Sequence, residues 1–188
     1  QGEQMGGYEK SPEYGGQPPT VRGILLAVAV IVGAPVALAL ACSSQSEAQK
    51  GASLTGVASI TDGDTIEIHG TPIRLNGYDT PESGKRCGTV NVHQKASLAL
   101  ADFVGSKTVT CKDTGDRNNG RVVATCSVGG VDFGDYMVSQ GWGRDWPRYS
   151  DGRYCQKEKA ARASKSGIWG MTCPDNVWSG RDYSGKGC

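Results

Sequence analysis

The stretch Thr61 to Glu82, TDGDTIEIHGTPIRLNGYDTPE, decides how this chain is read. Gly70-Thr71 is expected to form a two-residue hairpin loop with glycine at the first central position, as a type II′ turn prefers. Pairing then runs outward from His69 and Pro72, setting Ile68 opposite Ile73 and Ile66 opposite Leu75. Side chains alternate across a strand, so one face of the hairpin is apolar and faces a core, while Glu67 and Arg74 share the other. At the open end Asp64 is expected opposite Gly77, with Asp79 just beyond and Glu82 on a loop close by. Two carboxylates converging where strands splay suit a hard, oxygen-seeking cation.

Outward from this stretch, the 188 residues, with 28 Gly, 37% hydrophobic and 7% aromatic residues, suit one modest domain plus non-core segments rather than two domains. A net charge of +1 excludes a globally basic protein. Any grip on nucleic acid therefore rests on locally placed Lys and Arg. Residues 1–22 are rich in Gly, Pro, Gln and Glu and are expected to be disordered. Residues 23–41 form an uncharged apolar run, long enough as a helix to cross a hydrocarbon core of about 30 Å. The run ends Leu38-Ala39-Leu40-Ala41-Cys42, similar to a degenerate bacterial lipobox, so it is either a retained transmembrane anchor or a lipoprotein signal with Cys42 as the lipidated residue. Lys10 and Arg22 precede it and only Lys50 follows closely, which leaves the N-terminus in the cytoplasm and the following domain outside. Residues 42–53 read as a polar linker.

The folded part is expected over 54–178. Leu54 to Ile60 is a first strand, followed by the hairpin. Gln94 to Val104 carries Ala96, Leu100 and Phe103 at helical spacing, with Gly105 as a stop. Strands follow at Thr108 to Lys112 and Arg121 to Val128, then a short helix with Phe133, Tyr136 and Met137, and a longer one over Arg153 to Lys165. Pattern alone gives a β-rich α+β class. Setting Cys42 aside leaves Cys87, Cys111, Cys126, Cys155, Cys173 and Cys188, an even set consistent with disulfides in an oxidising compartment. Cys111 and Cys126 flank Asn118-Asn119 on two β-prone segments and are expected to be cross-linked; the other pairings stay open. The absence of C-x-x-C, with His69 and His93 lacking partners at ligand spacing, argues against zinc. Both histidines are expected to be solvated. The Gly-rich tail, 179–188, carries no functional reading.

Four blocks stand in order: D-G-D-T at Asp62 to Thr65, I-R-L-x-G-x-D-T-P-E at Ile73 to Glu82, G-R at Gly120-Arg121, and G-I-W at Gly167 to Trp169. Through them the chain, from about Leu54 to Trp169, resembles the staphylococcal nuclease (thermonuclease-like) family. The resemblance implies a five-stranded OB-fold barrel with about three helices, behind the anchor or signal helix. It implies Ca²⁺ held by Asp64, Asp79 and the Thr80 backbone carbonyl, with Glu82 orienting or deprotonating the attacking water and Arg74 and Arg121 holding the phosphate. DNA or RNA would be the substrate, 3′-phosphates the products, and a monomer the working form. Tyr149 aligns with one of the family's two pocket tyrosines, while the other falls on Pro147. Lys85 and Arg86 are candidate phosphate contacts on a loop. Trp142 and Trp146, interleaved with Arg144, Arg148 and Arg153, either stack on a single strand or simply pack. The family's D-x-Y-G-R is here Asp116 to Arg121, one residue longer and without the tyrosine, which alters contacts to sugar or base.

Each residue has a plainer explanation: Asp62, Asp64 and Asp79 as turn acids, Arg74 as a cross-strand partner of Glu67, Arg121 as an exposed residue leaving a turn. As a set in one motif order they point to phosphodiester hydrolysis, which needs activated water and neutralised phosphate charge. The expectation is a Ca²⁺-dependent, membrane-anchored, extracytoplasmic nuclease. The alternatives are a catalytically inactive nucleic-acid-binding barrel, favoured by the altered loop before Arg121, and a membrane-tethered structural domain held by disulfides.

Overall fold

Along Ser53–Asp62 (β1) exposed and half-buried residues alternate without interruption, the period-two signature of a strand with one wet face. A computed structural model describes residues 51–178 and 180–185. The segments read as disordered (1–22) and as anchor or signal helix (23–41), the lipidation candidate Cys42 and most of the linker lie outside the described residues. β1 pairs antiparallel with Thr65–Ile68 (β2), and a register shift between Ile60 and Asp62 marks a bulge, which bends the strand toward the site. Thr71–Leu75 (β3), Thr108–Asn118 (β4) and Arg121–Val128 (β5) complete the order β3-β2-β1-β4-β5. β3 also runs parallel to β5, with Ile73 opposite Val122 and Leu75 opposite Ala124. That seam closes the sheet into a five-stranded barrel and covers the edges that an open sheet would expose.

Helix α1 (Val92–Val104) begins because the Asn91 side chain accepts a hydrogen bond from the Gln94 amide at 3.1 Å, two residues earlier than periodicity alone suggested. Its buried stripe, Val92, Ala96, Leu100 and Val104, has a four-residue spacing. Leu100 and Val104 join Ile66, Ile68, Ile73, Leu75, Val109, Phe133 and Met137 in the main core. α2 (Phe133–Ser139) is capped by Asp132, α3 (Pro147–Ser150) starts with proline, and α4 (Cys155–Ala163) follows. A smaller cluster of Cys87, Val92, Ile168, Val177 and Trp178 packs the C-terminal segment beside α1. The alternate pairing Tyr78–Asp79 with Arg144–Asp145 sets Arg144 opposite Asp79 and Asp145 opposite Tyr78.

The hairpin corrects one expectation. Ile66 faces Ile73, Ile68 faces Thr71 and Thr65 faces Arg74, so the loop is His69-Gly70 rather than Gly70-Thr71. Both loop residues have positive φ, 52° and 76°. This is the type I′ requirement, and that turn's twist matches the flanking strands. The apolar face survives because the slip is an even number of residues. The polar pairing changes, since Arg74 lies opposite Thr65 instead of Glu67, and the Leu75 amide donates to the Asp64 carbonyl at 2.8 Å, where Gly77 was expected. β4 runs beyond the expected Lys112 to Asn118, and the helix expected from Arg153 begins at Cys155.

Cys111 and Cys126 stand directly opposite on β4 and β5 and are disulfide-bonded, as expected; Cys87 and Cys173 form a second bond. Closing a loop with a sequence separation of 15 constrains the unfolded chain by about 3 kcal/mol. The double substitution Cys111→Ala/Cys126→Ala is therefore expected to lose about that much stability in urea unfolding under oxidising conditions. An unchanged midpoint would count against it.

Asp145 is buried and its Oδ1 lacks a partner among the described residues. Burial pushes its carboxyl above the ordinary value, with Ser150 partly opposing. A raised carboxyl binds more protons folded than unfolded, so stability falls as pH climbs from about 3.9 through the raised value. Asp145→Asn removes that slope. Its stability relative to wild type should grow between about pH 4 and pH 7, whereas parallel urea curves would refute the assignment.

Candidate active site

At the splayed end of the β2–β3 hairpin one guanidinium joins two acids. Arg74, only 7% exposed, projects from β3. Its Nη1 pairs with Asp64 Oδ1 and donates to the Asp64 carbonyl at 3.2 Å; its Nη2 donates to Asp79 Oδ1 at 3.1 Å and to the Tyr78 carbonyl at 3.4 Å. Burial lowers the Arg74 pKa and the facing Asp79 opposes that shift. Arginine nevertheless stays charged, so the carboxylates see a fixed cation.

The local chain holds Asp64 in place. Asp62 Oδ1 accepts from the Asp64 amide at 3.0 Å, Thr65 Oγ1 donates to Asp64 Oδ1 at 3.2 Å, and the Thr80 amide donates to Asp64 Oδ2 at 3.2 Å. Between the two acids of D-G-D, a side chain at Gly63 would meet the Thr80 side chain at 2.9 Å. Glycine there lets the β1–β2 turn close on Thr80. The Tyr78 hydroxyl donates to the Gly63 carbonyl at 3.0 Å, and burial holds its proton well above the ordinary tyrosine range.

Asp64, Asp79 and Thr80, the expected cation ligands, are thus adjacent and buried. Hard oxygen donors of this kind suit Ca²⁺. No group of three or more His, Cys, Asp and Glu residues stands together for a metal among the described residues. Further ligands would have to come from backbone carbonyl, water or substrate.

Glu82 is exposed on the loop after Pro81. That loop is tied down by the Lys85 amide donating to the Glu82 carbonyl at 3.1 Å and by His93 Nδ1, 3.1 Å from the Pro81 carbonyl. His93, expected to be solvated, is half-buried and braces the loop. Its place as the second residue of α1, facing a loop twelve residues earlier, leaves no local signal. His69, as expected, is exposed at the hairpin turn, with Nε2 3.3 Å from the Thr55 carbonyl.

Arg121 reaches the same place from β5. Its Nη1 donates to Thr65 Oγ1 at 2.9 Å, and Thr65 donates in turn to Asp64. Nε donates to the Asn118 carbonyl at 3.3 Å and Nη2 pairs with the Asn118 side chain. The β4–β5 ladder shifts between Asp113 and Arg117, then closes with Asn118 opposite Arg121 across Asn119 and Gly120, at φ 49° and 81°. A bulge in β4 therefore accompanies the longer segment, and Arg121 still arrives beside Thr65. Tyr149, 49% exposed, meets Trp146 edge-on at 4.7 Å. Both line a cleft with Arg74, Gly77 and Asn118. Trp142 packs against the core instead. Lys85 is half-buried on the Glu82 loop.

Sequence reasoning missed two residues of the tail. Arg181 pairs with Asp79 Oδ1 and with Glu82 Oε1, and the Tyr183 hydroxyl donates to Asp79 Oδ2 at 2.6 Å. Burial, reinforced by that hydrogen bond, pushes the Tyr183 hydroxyl well above the ordinary range. A lone Arg and Tyr amid Gly and Ser carry neither periodicity nor motif.

A family model described as Staphylococcal nuclease homologue matches residues 72–171, more than half of the chain. The succinoglycan biosynthesis protein ExoI of Rhizobium meliloti (strain 1021) is 31% identical over an alignment of 123 residues that covers 62% of this chain and 64% of that relative. The chain thus spans under two thirds of the relative's length. Barrel closure, the hairpin acids and the matched segment agree: the chain belongs to the staphylococcal nuclease family.

Proposed function

We propose that this protein is a Ca²⁺-dependent nuclease that hydrolyses phosphodiester bonds of DNA or RNA and leaves 3′-phosphates. The observation that carries this reading is the convergence on one barrel end of Asp64, Asp79, Thr80 and Glu82 with two guanidinium groups, Arg74 and Arg121, supplied by β3 and β5. Asp64, Asp79 and the Thr80 carbonyl would hold the cation, which would supply neutralisation of the phosphate charge. Glu82, on the exposed side, takes the proton of the attacking water. Arg74 and Arg121 turn their fork-shaped donors to the non-bridging oxygens and stabilise the charge that builds up as the phosphorus becomes five-coordinate. The P–O5′ bond breaks, the 5′-oxygen takes a proton from solvent water, and the phosphate stays on the 3′ side. Tyr149 and Trp146 offer faces for the sugar or base, and Lys85 a phosphate contact at the loop.

The domain acts outside the cytoplasm as a monomer, attached through residues 23–41 or through a lipid on Cys42. The disulfides Cys87–Cys173 and Cys111–Cys126, with Cys155 also disulfide-bonded, support an oxidising compartment. A second reading, a barrel that binds nucleic acid without cutting it, draws on the tail contacts to Asp79 and Glu82.

Cleavage of single-stranded DNA, duplex DNA and RNA by the purified chain, with Ca²⁺ and with a chelator, separates the two. Ca²⁺-dependent cutting is expected, slowed about 10²–10⁴-fold by Glu82→Gln and about 10²–10³-fold by Arg121→Ala. Cutting that survives chelation and both substitutions would refute the assignment. Binding without cutting would select the second reading.

A further inference from the structure

Every carboxylate oxygen of the proposed cation site already has a donor. Asp64 Oδ1 is taken by Arg74 and Thr65, and Oδ2 by the Thr80 amide. Asp79, with no exposure to solvent, gives Oδ1 to Arg74 and Arg181 and Oδ2 to Tyr183. Glu82 Oε1 is paired with the other end of the same Arg181 guanidinium. The donors on Asp79 and Glu82 that do not belong to the hairpin come from residues 181–183.

This segment is seated beside the acids and against the smaller core cluster, where Tyr183 packs and its hydroxyl lies 2.7 Å from the Trp178 carbonyl. Trp146 Nε1 donates to the Asp182 carbonyl at 2.8 Å, the Arg181 guanidinium lies 5.0 Å from the Trp146 ring centroid, and that of Arg144 lies 3.8 Å from the Tyr183 ring. The Ser184 amide donates to Asp182 Oδ1 at 2.8 Å and closes a local turn. Trp146 is also a wall of the cleft that opens on Arg74. The tail therefore sits over the acids and touches the cleft only through Trp146.

A divalent cation entering at Asp79 must displace the donors that Arg181 and Tyr183 add to that of Arg74. Ca²⁺ requires six to eight oxygens at about 2.3–2.6 Å, and an adjacent fixed positive charge raises the cost of its entry. Glu82 Oε1, held in a charge-assisted pair with Arg181, is turned away from an attacking water.

On the reading of the site as a Ca²⁺-dependent nuclease, we propose that residues 181–183 are an internal competitor. Arg181 and Tyr183 occupy Asp79 and Glu82 in place of the cation and the attacking water, and the enzyme works only when the tail has lifted. Two effects follow by linkage. Ca²⁺ loosens the tail, and weakening the tail tightens Ca²⁺.

Calorimetric Ca²⁺ titration of the full chain, beside Arg181→Gln and Tyr183→Phe, tests this. Tyr183→Phe keeps the ring against Arg144 and removes only the hydroxyl. Both variants are expected to bind Ca²⁺ more tightly, Arg181→Gln by about 5–150-fold, the usual span of such coupling. Amide hydrogen exchange over 180–185 should rise when Ca²⁺ is added to wild type. Cutting at limiting Ca²⁺ should rise with affinity and converge with wild type at saturation. Unchanged or weaker Ca²⁺ binding in Arg181→Gln, with cutting intact, would overturn the competitor and leave the nuclease standing. Unchanged exchange over 180–185 on Ca²⁺ addition would overturn it as well. No Ca²⁺ binding and no cutting in any of the proteins would overturn both.

Discussion

The ion triad Asp64–Arg74–Asp79 constrains everything around it. Removing one member of a buried ion set strands the others without solvent and costs several kcal/mol, so the surrounding chain must deliver all three at once. The bulge in β1 turns the D-G-D segment inward, Gly63 leaves room for Thr80, and the short pairing of Tyr78–Asp79 with Arg144–Asp145 fixes the second acid. The barrel's parallel seam then sets Arg74 opposite Val123 and carries Arg121 to Thr65. Burial of Ile66, Ile73 and Leu75 in the main core that α1 also enters keeps the hairpin from sliding. A slip of one residue would turn Arg74 toward the apolar interior.

How much of this was legible follows from where each residue lies. Asp64, Arg74, Asp79 and Glu82 lie within one hairpin and its exit loop, so local alternation and spacing were enough to group them. Composition does not place the loop, because His69-Gly70 and Gly70-Thr71 both suit a two-residue turn; only strand twist chooses between them, and twist is a property of the pair. Arg121 could be grouped with the acids only through motif order, since its partner Thr65 lies on a strand far away in sequence. Cys111 and Cys126 were paired because hairpin symmetry is local. His93 and the two tail residues were invisible for the opposite reason: each acts through one tertiary contact that no neighbour in the sequence announces.

The aromatic residues around the site divide along the same line. Trp142 joins the core, Trp169 stacks on Trp178 at 5.0 Å beneath the C-terminal segment, and Trp146 with Tyr149 stays at the cleft. Sequence spacing treats them alike. Burial separates a packing ring from one left available to a planar ligand, and only the half-exposed pair adjoins Arg74.

The Cys87–Cys173 bond joins the stretch after Glu82 to the chain just before Arg181. The tail is therefore leashed at its root to the loop it covers. When Arg181 leaves Asp79 it remains at an effective concentration of about millimolar, as short tethers impose. Dilution cannot remove it, and its return is unimolecular. Reducing agents act on the length of that leash as well as on stability, so oxidation state and occupancy of the acids are joined by one covalent link.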